Sequence, residues 1–137
     1  MSALKVVVHV DGGARGNPGP AAVAAVAADE TGEPLLERNA YIGETTNNVA
    51  EYKAVLLALD LARELGASEV EVVNDSELVA RQIGGEYKVK QAHLKPLHRE
   101  VMESLRGFDR WAVRNVRREL NARADELVNE ALDARQP

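Results

Sequence analysis

The sequence predicts an α/β fold, a mixed β-sheet with helices packed on its faces. Three observations lead there. Residues 5–10, KVVVHV, and residues 69–74, EVEVVN, carry the β-branched or alternating pattern of strands, and each run delivers an aspartate, Asp11 or Asp75, at its carboxyl end. Residues 47–65, NNVAEYKAVLLALDLAREL, repeat apolar positions at helical spacing and are closed by Gly66. The patterns run strand, strand, strand, helix, strand, helices, strand, helix, which mixes neighbouring strands with helical crossovers.

In chain order, the first strand empties into DGGARGNPGP, residues 11–20. Residues 21–29, AAVAAVAAD, are ambiguous: alanine favours helix, whereas valine at every third position fits either state. We read them as a strand, and residues 33–44, EPLLERNAYIGE, as another after a turn at Gly32. The helix over 47–65 and the strand over 69–74 follow, then a short helix after Asp75 that stops at Gly84 and Gly85. Residues 91–108 form a helix that Pro96 kinks or restarts, 110–116 a last strand and 121–134 a last helix. With 137 residues, 45% of them hydrophobic, and no repeat or linker, the chain suits one domain over 1–137.

A net charge of −5 argues against coating nucleic acid by bulk electrostatics. It leaves room for local basic strips at Arg114, Arg117 and Arg118 and at Lys88, Lys90, Lys95 and Arg99, which read equally as solvated surface. The lack of cysteine excludes disulfides, thiolate metal sites and a cysteine nucleophile, and fits a reducing compartment; the cytoplasm is expected. No basic N-terminal region leads into a long apolar run, and nothing approaches the roughly 20 apolar residues that span a bilayer. A soluble protein without a membrane partner is expected. Three Tyr, one Trp and one Phe are too few for a single-strand binder built on base stacking.

Glu51 is the conspicuous residue. At about 100° per residue it is the one charge on an arc holding Ala50, Ala54, Val55, Ala58 and Leu61. A core-facing carboxylate requires an arginine, a lysine or a metal, unless it merely reaches solvent near the helix start. Asp11 shares a face with Lys5, Val7 and His9 at a strand end, where open sheets bind ligands, though an Asp-Gly turn would also use it. Asp75 could simply cap the helix after it, and Asp125 borders the apolar face of the last helix near Val128 and Leu132. Together, two strand ends and two helix faces could converge on one rim. Four oxygen-bearing acids without neighbouring cysteine suit a hard cation such as Mg²⁺ or Mn²⁺, and His9, His93 and His98 lack metal-ligand spacing. The loop is neither GxGxxG nor GxxxxGK[ST]; its Gly12, Gly13, Gly16 and Gly19 would let a bulky ligand approach the backbone.

These residues resemble the type 1 ribonuclease H family in its compact bacterial and archaeal form. The likeness covers nearly the whole chain through DGGARGNPGP at 11–20, TNNVAEYKAVLLAL at 46–59, NDSELVARQIGGEYKVK at 74–90 and RRELNARADELVNEALD at 117–133. It implies a ribonuclease H-like fold, a five-stranded mixed sheet flanked by helices on both faces, with the alanine run as its second strand. It implies that Asp11, Glu51, Asp75 and Asp125 are the catalytic, metal-binding carboxylates and hold two Mg²⁺ or Mn²⁺ ions. The implied activity is endonucleolytic hydrolysis of the RNA strand of an RNA/DNA hybrid, leaving 5′-phosphate and 3′-hydroxyl ends, by a monomer. Substrate would be met by Gly12, Gly13, Ala14, Asn17, Thr46, Asn47, Asn48, Tyr87, Lys88 and Arg118. Asn47 and Asn48 would read 2′-hydroxyls in the minor groove, unless they cap their helix. Tyr87 and Lys88 would face the DNA strand, unless Tyr87 only packs.

Three departures stand out. The spacer after Gly84 is too short for the basic protrusion of longer members. The histidine that many members carry on a flexible loop before the last aspartate is missing. Where relatives have histidine and proline this chain has Asn115 and Arg117, leaving Arg118, Glu119 or Asn121 for an auxiliary role. Two alternatives remain: a domain of the same fold that binds hybrids without efficient cutting, and a small nucleotide-binding α/β domain, which requires the loop at 12–19 to open a helix.

Overall fold

The computed structural model describes residues 4–135. Five strands, β1 (Lys5–Ala14), β2 (Gly19–Asp29), β3 (Pro34–Thr45), β4 (Glu69–Asn74) and β5 (Arg110–Asn115), form one sheet in the order β3-β2-β1-β4-β5. β1 pairs antiparallel with β2 and parallel with β4, so the sheet is mixed, as expected. The helices are α1 (Asn47–Glu64), α2 (Glu77–Ile83), α3 (Lys95–Leu105) and α4 (Ala122–Ala134). Among the described residues, no helix is long and apolar enough to cross a membrane.

Strand alternation splits β1 and β2 between two layers. Val6, Val8, Val10, Val23, Ala25 and Ala27 join α1 and α3 in the main core, built around Tyr52, Leu59, Leu61 and Leu105. Ala22 and Ala24 turn the other way and meet Leu127, Val128 and Leu132 of α4. This two-sided burial is why an alanine-rich run is a strand here: small side chains let a helix settle on each face, and tertiary pairing overrides the helical preference of alanine.

β1 is longer than its sequence pattern. It continues past Val10 because Asp11, Gly12, Gly13 and Ala14 pair with Ala24, Val23, Ala22 and Ala21 of β2. On the other side the parallel ladder with β4 stops at His9 opposite Val73. Asp11 therefore stands where β4 has already turned away, beside the end that delivers Asp75. The loop after β1 leads into β2 and not into a helix, which removes the phosphate cradle a nucleotide-binding domain would need. Pro96 marks a restart: a 3₁₀ turn, Ala92–Leu94, precedes α3, and the proline occupies its first turn.

Candidate active site

The sequence left three acids or amides with possible capping duties, and the structure assigns those duties to their neighbours. Thr46 caps α1, its hydroxyl accepting from Val49 N at 3.2 Å, so Asn47 and Asn48 lie inside the first turn. Ser76 caps α2, accepting from Val79 N at 3.3 Å. Asp75 is thereby released from capping. Asn74, itself buried, bends the chain for it by accepting Ser76 N at 2.8 Å.

Asp75 shows only 12% side-chain exposure and lies 3.8 Å from Arg118, whose side chain is 81% exposed. Burial pushes the Asp75 carboxyl above its usual range, against the pull of Arg118. Glu51, on the second turn of α1, is raised chiefly by burial, opposed by a hydrogen bond from Ser76 and raised further by Asp75. Asp11 is the most affected. Burial first, then Asp75, Asp125 within hydrogen-bonding reach, and Glu51 push its carboxyl up to about 8. The four acids predicted from the sequence thus sense one another at one end of β1.

Buried carboxylate oxygens Glu51 Oε2 and Asp75 Oδ2 have no hydrogen-bond partner. Among the described residues, no three acid or imidazole groups are drawn around one point as a finished metal cage. An all-oxygen donor set with surplus negative charge and unsatisfied acceptors fits hard divalent cations, whose charge would relieve both penalties.

A groove of about 270 Å³ is lined by Asp11, Gly12, Gly13, Ala14, Asn47, Arg118 and Asp125 of the expected set, with Arg15 and Asn129 in addition. Asn47 Oδ1 accepts Ala14 N at 2.8 Å, and Asn47 N donates to Asn17 Oδ1 at 3.1 Å, which ties the loop to α1. Asn48 is half-buried in the same turn.

Three expectations change. Gly12 is not kept bare for substrate: a Cβ there would stand 2.2 Å from Ala50 O, so the space belongs to the α1 backbone. Gly19 likewise makes room for the Arg15 carbonyl, 2.1 Å from a notional Cβ, and not for a ligand. Asn121 is buried and donates to Val10 O at 2.7 Å, pinning the start of α4 to β1, which denies it the freedom of the flexible-loop group whose auxiliary role it was expected to take. Glu119 is exposed, 4.0 Å from Arg117. Tyr87 and Lys88 lie apart from the groove, lining cavities of about 330 and 550 Å³ with Gln82. Arg15 and Asn129 escaped the sequence reading; the one available signal was that Arg15 is the sole charge in an otherwise bare loop.

Residues 9–131 match a family model described as "Reverse transcriptase-like". The chain is 42% identical to ribonuclease HI of Halobacterium salinarum over 94% of its own length and 65% of that protein. It is 44% identical to the bifunctional protein Rv2228c of Mycobacterium tuberculosis, of which it spans 36%. It therefore covers under two thirds of these curated relatives. The crystal structure of the Halobacterium RNase H1 superposes with a TM-score of 0.93, at 42% identity over 95% of this chain and 98% of that one. LC11-RNase H1, solved in complex with an RNA/DNA hybrid, superposes with a TM-score of 0.92, at 47% identity over 96% and 99% of the two chains.

Proposed function

The chain belongs to the ribonuclease H family, and on that premise we propose that it is a metal-dependent endonuclease cutting the RNA strand of RNA/DNA hybrids. The observation that carries this reading is the acid cluster at the end of β1, where Asp11 is raised to about 8 by burial and three other carboxylates. Repulsion of this kind is costly to the fold, and bound cations would offset it. Asp11, Glu51, Asp75 and Asp125 would hold two Mg²⁺ or Mn²⁺ ions between them. Bound there, such ions would supply an activated water and offset charge on the departing 3′-oxygen, the chemistry that gives 5′-phosphate and 3′-hydroxyl ends.

The remaining roles fall to this chain's own groups. Asn47 spends its oxygen on Ala14, so its amide N–H₂ is left to donate to a 2′-hydroxyl along the groove, with Asn48 as a second reader. Asn17 and Thr46 hold that edge in shape, and Gly13 and Ala14 form its floor. Arg118 can leave Asp75 for a phosphate. Glu119 is the exposed group suited to the auxiliary role. Tyr87 and Lys88 would meet the DNA strand. Every acid comes from one chain, so a monomer suffices.

The test is cleavage of a labelled hybrid with Mg²⁺ and with EDTA, alongside RNA duplex and DNA duplex. Metal-dependent cutting of the RNA strand alone is expected; binding without cutting in Mg²⁺ or Mn²⁺ would leave only a hybrid-binding domain.

A further inference from the structure

Arg15 belongs to none of the roles above, yet the groove beside Asp11 is built partly from it. Its loop is fixed on two sides: Arg15 N donates to Pro20 O at 2.8 Å, and the preceding amide, Ala14 N, is held by Asn47. Its guanidinium is held as well. Nη1 lies 2.8 Å from Asp133 Oδ1 and Nη2 donates to Asn129 Oδ1 at 3.1 Å, both on α4. Asn129 in turn donates to the Asp125 carbonyl at 3.1 Å.

A tie between loop and helix does not account for this arrangement. Side-chain exposures of 42% for Arg15 and 70% for Asp133 put the ion pair in water, where such pairs add little stability. The groove's lining holds two positive charges, and Arg118 already stands against Asp75. Arg15 sits on the α4 side, its planar fork preorganised by Asn129 and its charge partly answered by a carboxylate that an incoming phosphate can displace.

We propose that Arg15 is a substrate-binding residue that grips a backbone phosphate of the RNA strand next to the scissile one, with Asp133 competing for it until substrate arrives. The proposal rests on the hybrid-cutting activity argued above. The RNA strand is indicated because Arg15 shares its groove with Asp11 and Asp125, two of the acids proposed to act on the strand that is cut.

The experiment compares wild type, Arg15→Ala, Arg15→Lys and Asp133→Asn, reading kcat, KM and the salt dependence of KM on a short fluorescein-labelled hybrid. Anisotropy in EDTA follows binding of the same hybrid. Arg15→Ala should raise KM about tenfold with kcat little changed, and flatten the plot of log KM against log salt by about one unit. Arg15→Lys should keep the slope and recover part of the KM. Asp133→Asn should leave KM equal to or below that of wild type. Replacing single phosphates by methylphosphonates should weaken wild type at one RNA position beside the cleaved bond and leave Arg15→Ala indifferent there. Equal losses in Arg15→Ala and Asp133→Asn, an unchanged salt slope, or sensitivity confined to the DNA strand would overturn the proposal. A wild type that binds without cutting would sink the activity, and the anisotropy would still judge Arg15.

Discussion

Asn47 reaches back from the first residue of α1 to accept the amide of Ala14 at 2.8 Å, locking the loop that follows Asp11 to the helix that carries Glu51. One side chain thus ties together the elements that carry two acids and leaves its amide N–H₂ for the substrate contact proposed above. The two duties separate by mutation. Asn47→Ala leaves a half-buried amide unpaired and should cost about 1–3 kcal/mol of stability. Asn47→Asp keeps the acceptor and loses the donor, so its melting temperature should fall less than that of Asn47→Ala while KM for the hybrid rises. Equal melting losses in both variants would refute the division.

Asp11→Asn, Glu51→Gln and Asp75→Asn should each abolish nearly all hybrid cleavage with the fold intact by circular dichroism, because each would remove a ligand from the proposed cation pair. Asp125→Asn should lose less, since it comes from the first turn of the last helix and completes the cluster from one side. Any of the first three that keeps half the wild-type rate is no part of the site.

The Asp11 carboxyl titrates near 8 when folded, against 3.8 unfolded. Between those values the native state holds the extra proton, so stability of the metal-free protein should fall as pH rises from about 4 to about 8 and level off above. Glu51 and Asp75, also raised, act in the same sense. Melting in EDTA across that range measures the slope. Asp11→Asn should flatten it and melt higher than wild type at pH 8; a lower melting point would make Asp11 a structural residue.

Cation binding requires the deprotonated acids, so the Mg²⁺ concentration giving half-maximal cleavage should drop as pH climbs toward 8. Added Mg²⁺ should also raise the melting temperature of wild type more than that of Asp11→Asn, by preferential binding to the native state. A half-maximal concentration that ignores pH would mean the cluster is already ionised.

Gly12→Ala should be severe although it adds only a methyl. The new Cβ would stand 2.2 Å from Ala50 O and 2.7 Å from Glu51 N, so β1 and α1 must part. Overpacking of this kind costs about 1–3 kcal/mol or more, and here it also displaces Glu51 from Asp11. Gly13→Ala, with its nearest neighbour at 3.9 Å, should melt close to wild type.

Much of this was legible in the chain. Glu51 betrayed itself as a charge on an apolar arc, and Asp11 and Asp75 by ending strand patterns. The limits were tertiary. Nothing local extends β1 through two glycines; its partner β2 does that. Nothing local reserves the face of Gly12 for Ala50, or recruits Asn121, expected at the start of the last helix with an auxiliary role, to a carbonyl on β1. Asp75 could have capped the helix after it, and the structure gives that cap to Ser76.

That pin between Asn121 and Val10 joins positions 111 residues apart. Asp125, one turn further on, reaches the acids only after it closes. On the proposed function, a nascent chain would carry Asp11, Glu51 and Asp75 before its last helix docks, and would cut hybrids at full rate only once Asp125 has joined them. The proposed nuclease activity would then be a clock for the end of folding, and strand scission a more demanding test of the native state than secondary structure alone.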